Sequence, residues 1–406
     1  MVGRRPKPAL SIGEFVALMA FMISLIALSI DAMLPALSLI GQDLHVEADN
    51  DRQLVVSALF LGFGVAQMIY GPLSDSIGRK RTIYIGYVVF LIGCLLSILS
   101  TSFDIMLAGR ILQGAGAASP RIVCIALVRD QYEGREMARI MSFIMGVFIL
   151  VPALAPALGQ GIVMVSHWRA IFVVFLILAI AAWLWFAWRQ PETLPPGRRV
   201  RFSVYVIWSG IKETCRNRMS FGYALAAGMI FGAFVGYLST AQQFFHDIYG
   251  ITDMFPFYFA TLALAIGLSS YINGRLVVKI GMRPLSSYAL RSLTLLSFTY
   301  FLFAAYVGGA PELWLNMAYF IGAFLSIGIL FANFNALAME PLGHIAGVGA
   351  AVVGSISTLI SVLLGWFIGQ MFDATVLPLV GGFALLGSFS IGLMWWIELG
   401  RDKGSS

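Results

Sequence analysis

Charged side chains are scarce in this sequence. Asp, Glu, Lys and Arg make up 11% of its 406 residues, whereas soluble domains carry about a quarter. Hydrophobic residues account for 59%, and they recur in runs near the roughly twenty residues that a helix needs to cross a hydrocarbon core of about 30 Å. A soluble globular domain is therefore excluded, and the composition indicates an integral membrane protein. The first apolar run is too long for a signal-peptide core and lacks a small-residue cleavage site, so we expect it to be retained.

Cysteine and histidine are also few. Cys94, Cys124 and Cys215 have no paired spacing, so the sequence predicts neither a disulfide framework nor a zinc site. A membrane-embedded enzyme would need a nucleophile–base pair or clustered metal ligands at membrane depth, and no such cluster is visible along the chain. A G-x-x-x-x-G-K-[ST] loop is absent from the sequence, which argues against ATP-driven transport by this chain alone.

The apolar runs predict twelve transmembrane helices. They are continuously apolar and do not alternate with polar residues, which favours helices over barrel strands. The predicted spans are 14–40, 53–73, 82–101, 104–128, 138–165, 169–189, 220–244, 254–278, 284–307, 312–339, 345–371 and 375–399. The expected fold class is all-α, with no separate soluble domain.

Basic residues collect on one side of this topology. That side carries 21 of the 26 Lys and Arg residues, whereas the opposite loops carry only Arg52 and Arg169. Basic residues stay cytoplasmic in membrane proteins, so both termini are predicted to face the cytoplasm. The positive net charge thus reflects topology, and we expect no nucleic-acid partner.

The two halves of the chain share a repeated segment. "GPLSDSIGRKR" at 71–81 follows the second span, and "GRLVVKIGMRP" at 274–284 follows the eighth, with two glycines, a leucine and an isoleucine matching at an offset of 203. This repeat predicts two pseudo-symmetric six-helix halves. We expect an N-terminal half at 1–190, a cytoplasmic connecting loop at 191–219 and a C-terminal half at 220–406.

Twelve spans with G-x-L-S-D-x-x-G-R-K-R after the second resemble the major facilitator superfamily. The resemblance covers nearly the whole chain and implies the major facilitator fold. It also implies that segment 71–81 braces the two halves on the cytoplasmic side when the transporter opens outward; the alternative is a solvated turn that fixes topology. Glycine permits a tight turn, and Asp75 can interact with a helix N-terminus. The predicted gating residues here are Gly71, Asp75, Gly78, Arg79, Lys80 and Arg81.

Ionisable residues at membrane depth are functional candidates by default, because burying them is costly. Asp31 is the only acid well inside a predicted span, and its spacing from Ser24 and Ser38 places all three on one helical face. Pro35 is expected to loosen the helix one turn later. Asp31 is predicted to couple transport to protons and to contact substrate. The alternative is a structural acid paired permanently with an arginine.

Arg110 opens "RILQGAGAA", which resembles the family's span-four motif. The resemblance implies that Arg110 acts with the proton-coupling acid, and its depth can match that of Asp31. Arg121 lies three turns further on the same face, where ligand contact and snorkelling toward the interface are both open. Gln113 and Arg121 are predicted to bind substrate, together with Phe231, Phe234, Tyr237, Phe331 and Asn335 from the second half.

The fifth span reads "GVFILVPALAPALGQGI" and resembles the antiporter motif of proton-driven exporters, although Ala155 and Gln160 replace two of its glycines. Pro152, Pro156 and Gly159 are therefore predicted to kink this helix and limit leakage. The alternative is an ordinary kinked membrane helix. "DAMLPAL" and "ALVRDQYEGREMARIMS" are similar to the bicyclomycin- and chloramphenicol-resistance branch of exporters.

These resemblances imply a drug:proton antiporter in a bacterial inner membrane. It would exchange protons for small amphipathic compounds by alternating access. We expect it to act as a monomer, with the proton gradient as energy source and without a cofactor. The main alternative is a carrier, facilitative or proton-coupled, for one metabolite, such as an anion held by Arg110 and Arg121.

Overall fold

A computed structural model describes residues 10–402. This part of the chain is helical and contains no β-strand. Its α-helices are α1 (Ile12–Asp31), α2 (Leu37–Asp43), α3 (Leu54–Ile77), α4 (Arg79–Ile98), α5 (Phe103–Gln131), α6 (Gly134–Val165), α7 (Arg169–Arg189), α8 (Val204–Arg216), α9 (Arg218–Gln243), α10 (Phe255–Ile280), α11 (Met282–Tyr306), α12 (Leu313–Met339), α13 (Ala346–Gln370) and α14 (Leu377–Asp402). Short 3₁₀-helices occupy Leu34–Ala36, Asp49–Gln53, Pro196–Arg198 and Glu340–Ile345, and a short π-helix covers Phe244–Ile248.

The helices include enough apolar length for twelve membrane spans. Within residues 10–402, eleven continuous helical stretches are long and apolar enough to cross a bilayer, and the longest of these runs over Leu313–Gln370. That stretch contains α12 and α13, which are separated by a turn where Leu342 leaves helical geometry (φ −99°, ψ 18°). Because α12 and α13 have 27 and 25 residues, each can span a bilayer alone. The predicted all-helical fold class is confirmed.

The first predicted span is interrupted. α1 ends at Asp31, and α2 begins at Leu37 after a 3₁₀ turn that contains Pro35. Proline has no N–H to donate, and its ring crowds the carbonyl four residues earlier, which here is that of Asp31. The prediction that Ser38 shares one continuous helical face with Asp31 is therefore wrong.

Unit 1 comprises the residues up to His45 and Ala58–Ile207. Within it α4 packs along α5, and α1 packs against α5, α6 and α7. Small residues bring α4 and α5 together: a Cβ added at Gly116 would lie 2.4 Å from the backbone nitrogen of Phe90, and one at Gly93 would lie 2.6 Å from the carbonyl oxygen of Gly109. This small-residue interface is typical of membrane helices, where close van der Waals packing stabilises association.

Unit 2 comprises Val46–Ser57 and the chain from Trp208 onward. Its main helix pairs are α9 with α13, α11 with α14 and α10 with α12. The turn Asp49–Gln53 joins this unit through side-chain amides, which we call the amide cluster. In it the Asn50 amide donates to the carbonyls of Gln370 (3.1 Å) and Phe372 (2.9 Å). Gln53 donates to Gln243 Oε1 (2.5 Å), and Gln243 donates to Asn50 Oδ1 (3.0 Å).

Candidate functional site

Asp31 lies at the break in the first span. It is the last residue of α1, is buried with 5% of its surface exposed, and is followed by the turn around Pro35. α6 reaches this break through Gly159, where an added Cβ would lie 1.8 Å from the carbonyl oxygen of Ala32. Only a glycine permits so close an approach of two backbones. Gly159 of the fifth span therefore contacts the residue next to Asp31.

Arg110 connects α5 to the same part of α1. Its side chain is fully buried, and Nη2 donates to the carbonyl oxygen of Ser29 (2.9 Å) while Nη1 donates to Gln113 Oε1 (2.7 Å). Gln113 in turn donates to the hydroxyl of Ser97 on α4 (3.2 Å). The expectation that Arg110 lies near Asp31 agrees with this bond to α1. Gln113, predicted to bind substrate, here lies between Arg110 and Ser97.

The arrangement around Asp31 can respond to a proton. Gain or loss of a proton at Asp31 changes the charge of a buried region that also holds Arg110, where few solvent dipoles screen the change. A break in the helix leaves main-chain carbonyls without helical partners, and these can accept bonds from other groups. Arg110 uses one backbone carbonyl in this way, so a change at Asp31 can alter how α1, α5 and α6 pack.

Arg121 lies on the same helix as Arg110. Its side chain is half-buried, its guanidinium carbon lies 5.5 Å from the centre of the Phe148 ring on α6, and Nη1 is buried without a hydrogen-bond partner. A buried N–H of a guanidinium that makes no hydrogen bond is costly. A ligand oxygen could satisfy this donor.

In unit 2 the predicted aromatic residues form one cluster across α9 and α12. Ring centres lie 5.7 Å apart for Phe231 and Phe234, 5.0 Å for Phe231 and Phe331, and 6.3 Å for Phe234 and Tyr237. Asn335 donates to the carbonyl of Phe331 in its own helix (2.8 Å). The four aromatic rings therefore pack in one continuous series, in which Tyr237 is buried, while the amide of Asn335 bonds within α12.

Sequence reasoning missed several members of this aromatic cluster. The ring centre of Phe324 lies 4.9 Å from that of Tyr237 and 5.4 Å from that of Phe234. The ring centre of Phe320 lies 5.4 Å from that of Tyr237. Their spacing of four residues in α12 places them on one face, and this was the available signal.

The segment 71–81 is a helix end, a glycine turn and a helix start. Gly78 has φ 105°, which L residues rarely adopt, and Gly281 at the corresponding position in unit 2 has φ 87°. The turn predicted at Gly78 is present at both copies of the repeat. The turn predicted at Gly71 is wrong, because α3 continues through Gly71 to Ile77.

Arg79 is the centre of a charged network within unit 1. It is buried, pairs with Asp75 and with Asp130 at the end of α5 (3.0 Å), and donates to Ser74 Oγ (2.8 Å). Asp75 was expected at a helix N-terminus but binds this guanidinium. The Lys80 ammonium donates to the carbonyl of Ala187 (2.7 Å) at the end of α7, and Arg81 is exposed.

Glu192, which the sequence reasoning missed, caps α4. Its two carboxylate oxygens accept from the backbone N–H groups of Arg79 (3.0 Å) and Lys80 (3.1 Å). A carboxylate at a helix N-terminus satisfies N–H groups that lack helical partners and interacts favourably with the helix dipole. Because Glu192 comes from the connection after α7, its partners cannot be read from spacing along the chain.

Pro152 and Pro156 lie inside α6, which the structure describes as one helix from Gly134 to Val165. Pro156 is buried and Pro152 is half-buried. Gly159 contacts α1, whereas a Cβ at Gly161 would meet nothing within 4 Å. Of these two glycines, Gly159 therefore packs against another segment and Gly161 does not.

Twelve potential spans in two compact units, with a buried acid and a buried arginine on neighbouring helices, are typical of a secondary transporter. The chain belongs to the Major Facilitator Superfamily, whose sequence model matches residues 17–365. This confirms the family resemblance, and the protein is a multi-pass membrane transporter of small molecules.

Relatives support the branch that the sequence resembles. A bicyclomycin resistance protein homolog of Haemophilus influenzae is 27% identical over 86% of this chain and 87% of its own. A chloramphenicol resistance protein of Pseudomonas aeruginosa is 31% identical over 84% and 82%, respectively. The solved structure of the E. coli xylose transporter XylE in a partially occluded inward-open conformation superposes with a TM-score of 0.74 at 12% identity, covering 95% of this chain and 97% of that one. The last likeness concerns the fold alone.

Proposed function

We propose that the protein is a proton-coupled exporter of small amphipathic compounds. It exchanges substrate for protons by alternating access. The proton gradient is its energy source, and it needs no cofactor. Relatives named for resistance to bicyclomycin and chloramphenicol support a drug as the exported compound. We further propose that it acts as a monomer in a bacterial inner membrane, with both termini cytoplasmic, because its basic residues concentrate on that side.

The observation that carries the proposal is the placement of Asp31. A buried carboxyl ends α1 where the helix breaks, Arg110 binds a carbonyl two residues earlier, and Gly159 touches the residue after it. In the proposed cycle Asp31 receives a proton from outside and releases it inward as substrate loads. Arg110 adjusts the charge balance of the acid. Asp31, Gln113, Arg121, Phe231, Phe234, Tyr237, Phe331 and Asn335 remain the predicted substrate contacts.

Transport into proteoliposomes that contain a pH-sensitive dye tests the proposal. Cationic, neutral and anionic compounds are compared for wild type, Asp31→Asn and the control Asp104→Asn, which removes an exposed acid at the start of α5. We expect substrate-dependent proton movement in wild type and in the control, and its loss in Asp31→Asn. Substrate movement without protons that Asp31→Asn leaves unchanged would contradict proton coupling.

A second candidate function is a carrier for one anionic metabolite. It is favoured by Arg121, whose buried Nη1 makes no hydrogen bond. An anion would supply the missing acceptor and pair with the guanidinium in a medium of low dielectric. Under this alternative Arg121→Gln abolishes transport of anions. Under the exporter proposal it leaves transport of cationic and neutral compounds largely intact, so the same liposome assay separates the two.

A further inference from the structure

The connection between α7 and α9 contains an amphipathic helix, α8, which holds none of the residues predicted to bind substrate or protons. α8 runs over Val204–Arg216, and the next span, α9, begins at Arg218. α7 ends at Arg189. With 13 residues, α8 is too short to cross a bilayer and is not a span.

One face of α8 packs on the protein. Gly210 and Thr214 are buried, and a Cβ added at Gly210 would lie 2.4 Å from Val348 Cγ1 of α13. Glu213 Oε1 lies 2.6 Å from His344 Nε2 in the turn before α13. These contacts fix the rotation of α8 about its axis, and so determine which side chains point away from unit 2.

A second stripe of α8, about a third of a turn from the buried face, is apolar and exposed. Val204 is 70% exposed and Trp208 is 64% exposed, and Cys215 is exposed further along. Spacings of four and seven residues place these three side chains on one stripe of the helix. Exposed apolar stripes with a large indole ring are unfavourable in water and are typical of helices at a membrane interface.

A basic stripe runs beside the apolar one. Tyr205, Lys212 and Arg216 are exposed at spacings of seven and four residues. Lys212 and Arg216 line a surface cleft of about 440 Å³ with Ser209, Glu213 and Asn217. Glu213 Oε1 lies against His344, and the two cations outnumber this single acid in the lining of the cleft. An anionic headgroup complements them.

We propose that α8 lies in the headgroup region of the bilayer and that Lys212 and Arg216 bind the phosphate of an anionic phospholipid. Trp208 and Val204 insert among the upper acyl segments, and Tyr205 lies at the level of the headgroups, as aromatic residues do at membrane interfaces. The lipid supplies both parts of the interaction: acyl chains cover the apolar stripe, and the phosphate bridges the two cations. A soluble anion would bridge the two cations but would leave the apolar stripe uncovered.

Cys215 provides a native reporter of this position. It is exposed, whereas Cys94 and Cys124 are buried, so it can be labelled selectively with a nitroxide. Neighbouring atoms desolvate the Cys215 thiol and raise its pKa, so labelling is done at mildly alkaline pH, where more thiolate is present. In phosphatidylglycerol-containing nanodiscs we expect the nitroxide to be accessible to oxygen and protected from a water-soluble nickel relaxant. Equal access of the nickel relaxant in nanodiscs and in detergent would overturn the proposal.

The headgroup contact is tested by charge removal. Full-length protein in detergent, labelled at Cys215 with a fluorophore, is titrated with a quencher-bearing phosphatidylglycerol. The double variant Lys212→Gln/Arg216→Gln is compared with Arg275→Gln/Lys279→Gln, which removes the same charge at the end of α10, where both residues are exposed. We expect affinity to fall by roughly fivefold for each cation removed from α8, hence about 25-fold in the double variant, and to change little in the control.

Two further arms separate other sources of binding. Glycerol phosphate should fail to displace the lipid; displacement would mean that the cleft binds a soluble phosphate. Protection of Cys215 in native membranes but not in lipid nanodiscs would mean that a partner protein covers α8. Equal lipid affinity in the α8 and control variants would also overturn the proposal. None of these measurements depends on transport, so they stand apart from the test of proton coupling.

Discussion

Arg110 donates a hydrogen bond from Nη2 to the carbonyl oxygen of Ser29, 2.9 Å away. The bond joins the middle of α5 to the last turn of α1, two residues before Asp31. A second bond from Nη1 to Gln113 Oε1 holds the guanidinium in place. The arginine thus binds the main chain that carries the buried acid, so the position of α1 depends on a side chain of α5.

Replacing Arg110 by lysine tests this dependence. Lysine keeps the charge, but its single ammonium lacks the planar fork that reaches both Gln113 and Ser29. We expect the free energy of unfolding to fall by about 1.5–3 kcal/mol, the range for hydrogen bonds to charged groups, and transport to fall with it. Thermal unfolding and liposome transport measure the two effects. Arg291→Lys, at an exposed arginine of α11, is the control and should change neither.

Gly159 and Gly161 form a matched pair in α6. An added Cβ at Gly159 would lie 1.8 Å from the Ala32 carbonyl oxygen, whereas one at Gly161 would meet nothing within 4 Å. Gly159→Ala should therefore force α6 away from the break in the first span and destabilise the protein by about 1–3 kcal/mol. Gly161→Ala should stay within about 0.5 kcal/mol of wild type. Similar melting temperatures for both variants would show that the contact at Ala32 is dispensable.

Gly78 and Gly281 allow the same comparison across the internal repeat. Both have positive φ, so alanine at either position costs about 1–3 kcal/mol in backbone strain. At Gly78 a Cβ would also lie 2.4 Å from Glu192 Oε2, whereas at Gly281 the nearest atom is Pro284 Cδ at 3.7 Å. Gly78→Ala should therefore cost about 1 kcal/mol more, because it disturbs the cap on α4.

Glu192→Ala identifies the origin of that difference. In this background most of the difference between Gly78→Ala and Gly281→Ala should disappear, because the carboxylate is gone and the remaining neighbour, Arg199 Nη2 at 3.1 Å, ends a flexible side chain. The amides of Arg79 and Lys80 donate hydrogen bonds to Glu192 in wild type. Their hydrogen exchange should accelerate in Glu192→Ala and in Gly78→Ala, and not in Gly281→Ala. A difference between the two glycine sites that persists without Glu192 would assign it to another contact.

Gly369 is expected to be required by the amide cluster of unit 2. A Cβ there would lie 1.9 Å from Gln53 Oε1, so Gly369→Ala should push the buried Gln53 amide away from Gln243. We expect the free energy of unfolding to fall by about 1–3 kcal/mol, the cost of leaving buried amide groups without partners. Because amides do not titrate, the loss should be the same at mildly acidic and neutral pH. Gly392→Ala, with nothing within 4 Å of its Cβ, is the control.

Much of the candidate site could be predicted from residue type and spacing. A lone acid in an apolar run identified Asp31, and helical spacing put Arg110 at its depth, because both arguments depend only on local sequence and the thickness of a bilayer. Glu192, Phe320 and Phe324 were missed or left unassigned. Their roles depend on which side chains α4, α9 and α12 bring together, and such contacts between distant segments leave no local pattern.

By itself the sequence determined the number of spans, the helical fold class and the repeat. Apolar runs of a given length must match the thickness of the bilayer, and glycines recur where the backbone needs a conformation that other residues rarely adopt. The sequence also placed the break in the first span at Pro35, because proline acts on its own backbone. The tertiary structure alone decided that Gly71 stays helical while Gly78 turns, and that Gly159 meets Ala32. It also assigned the turn Asp49–Gln53 to unit 2 through side-chain amides. These features arise from packing between helices far apart in sequence, where atoms a few ångströms from each other select one of several backbone arrangements that the local sequence allows.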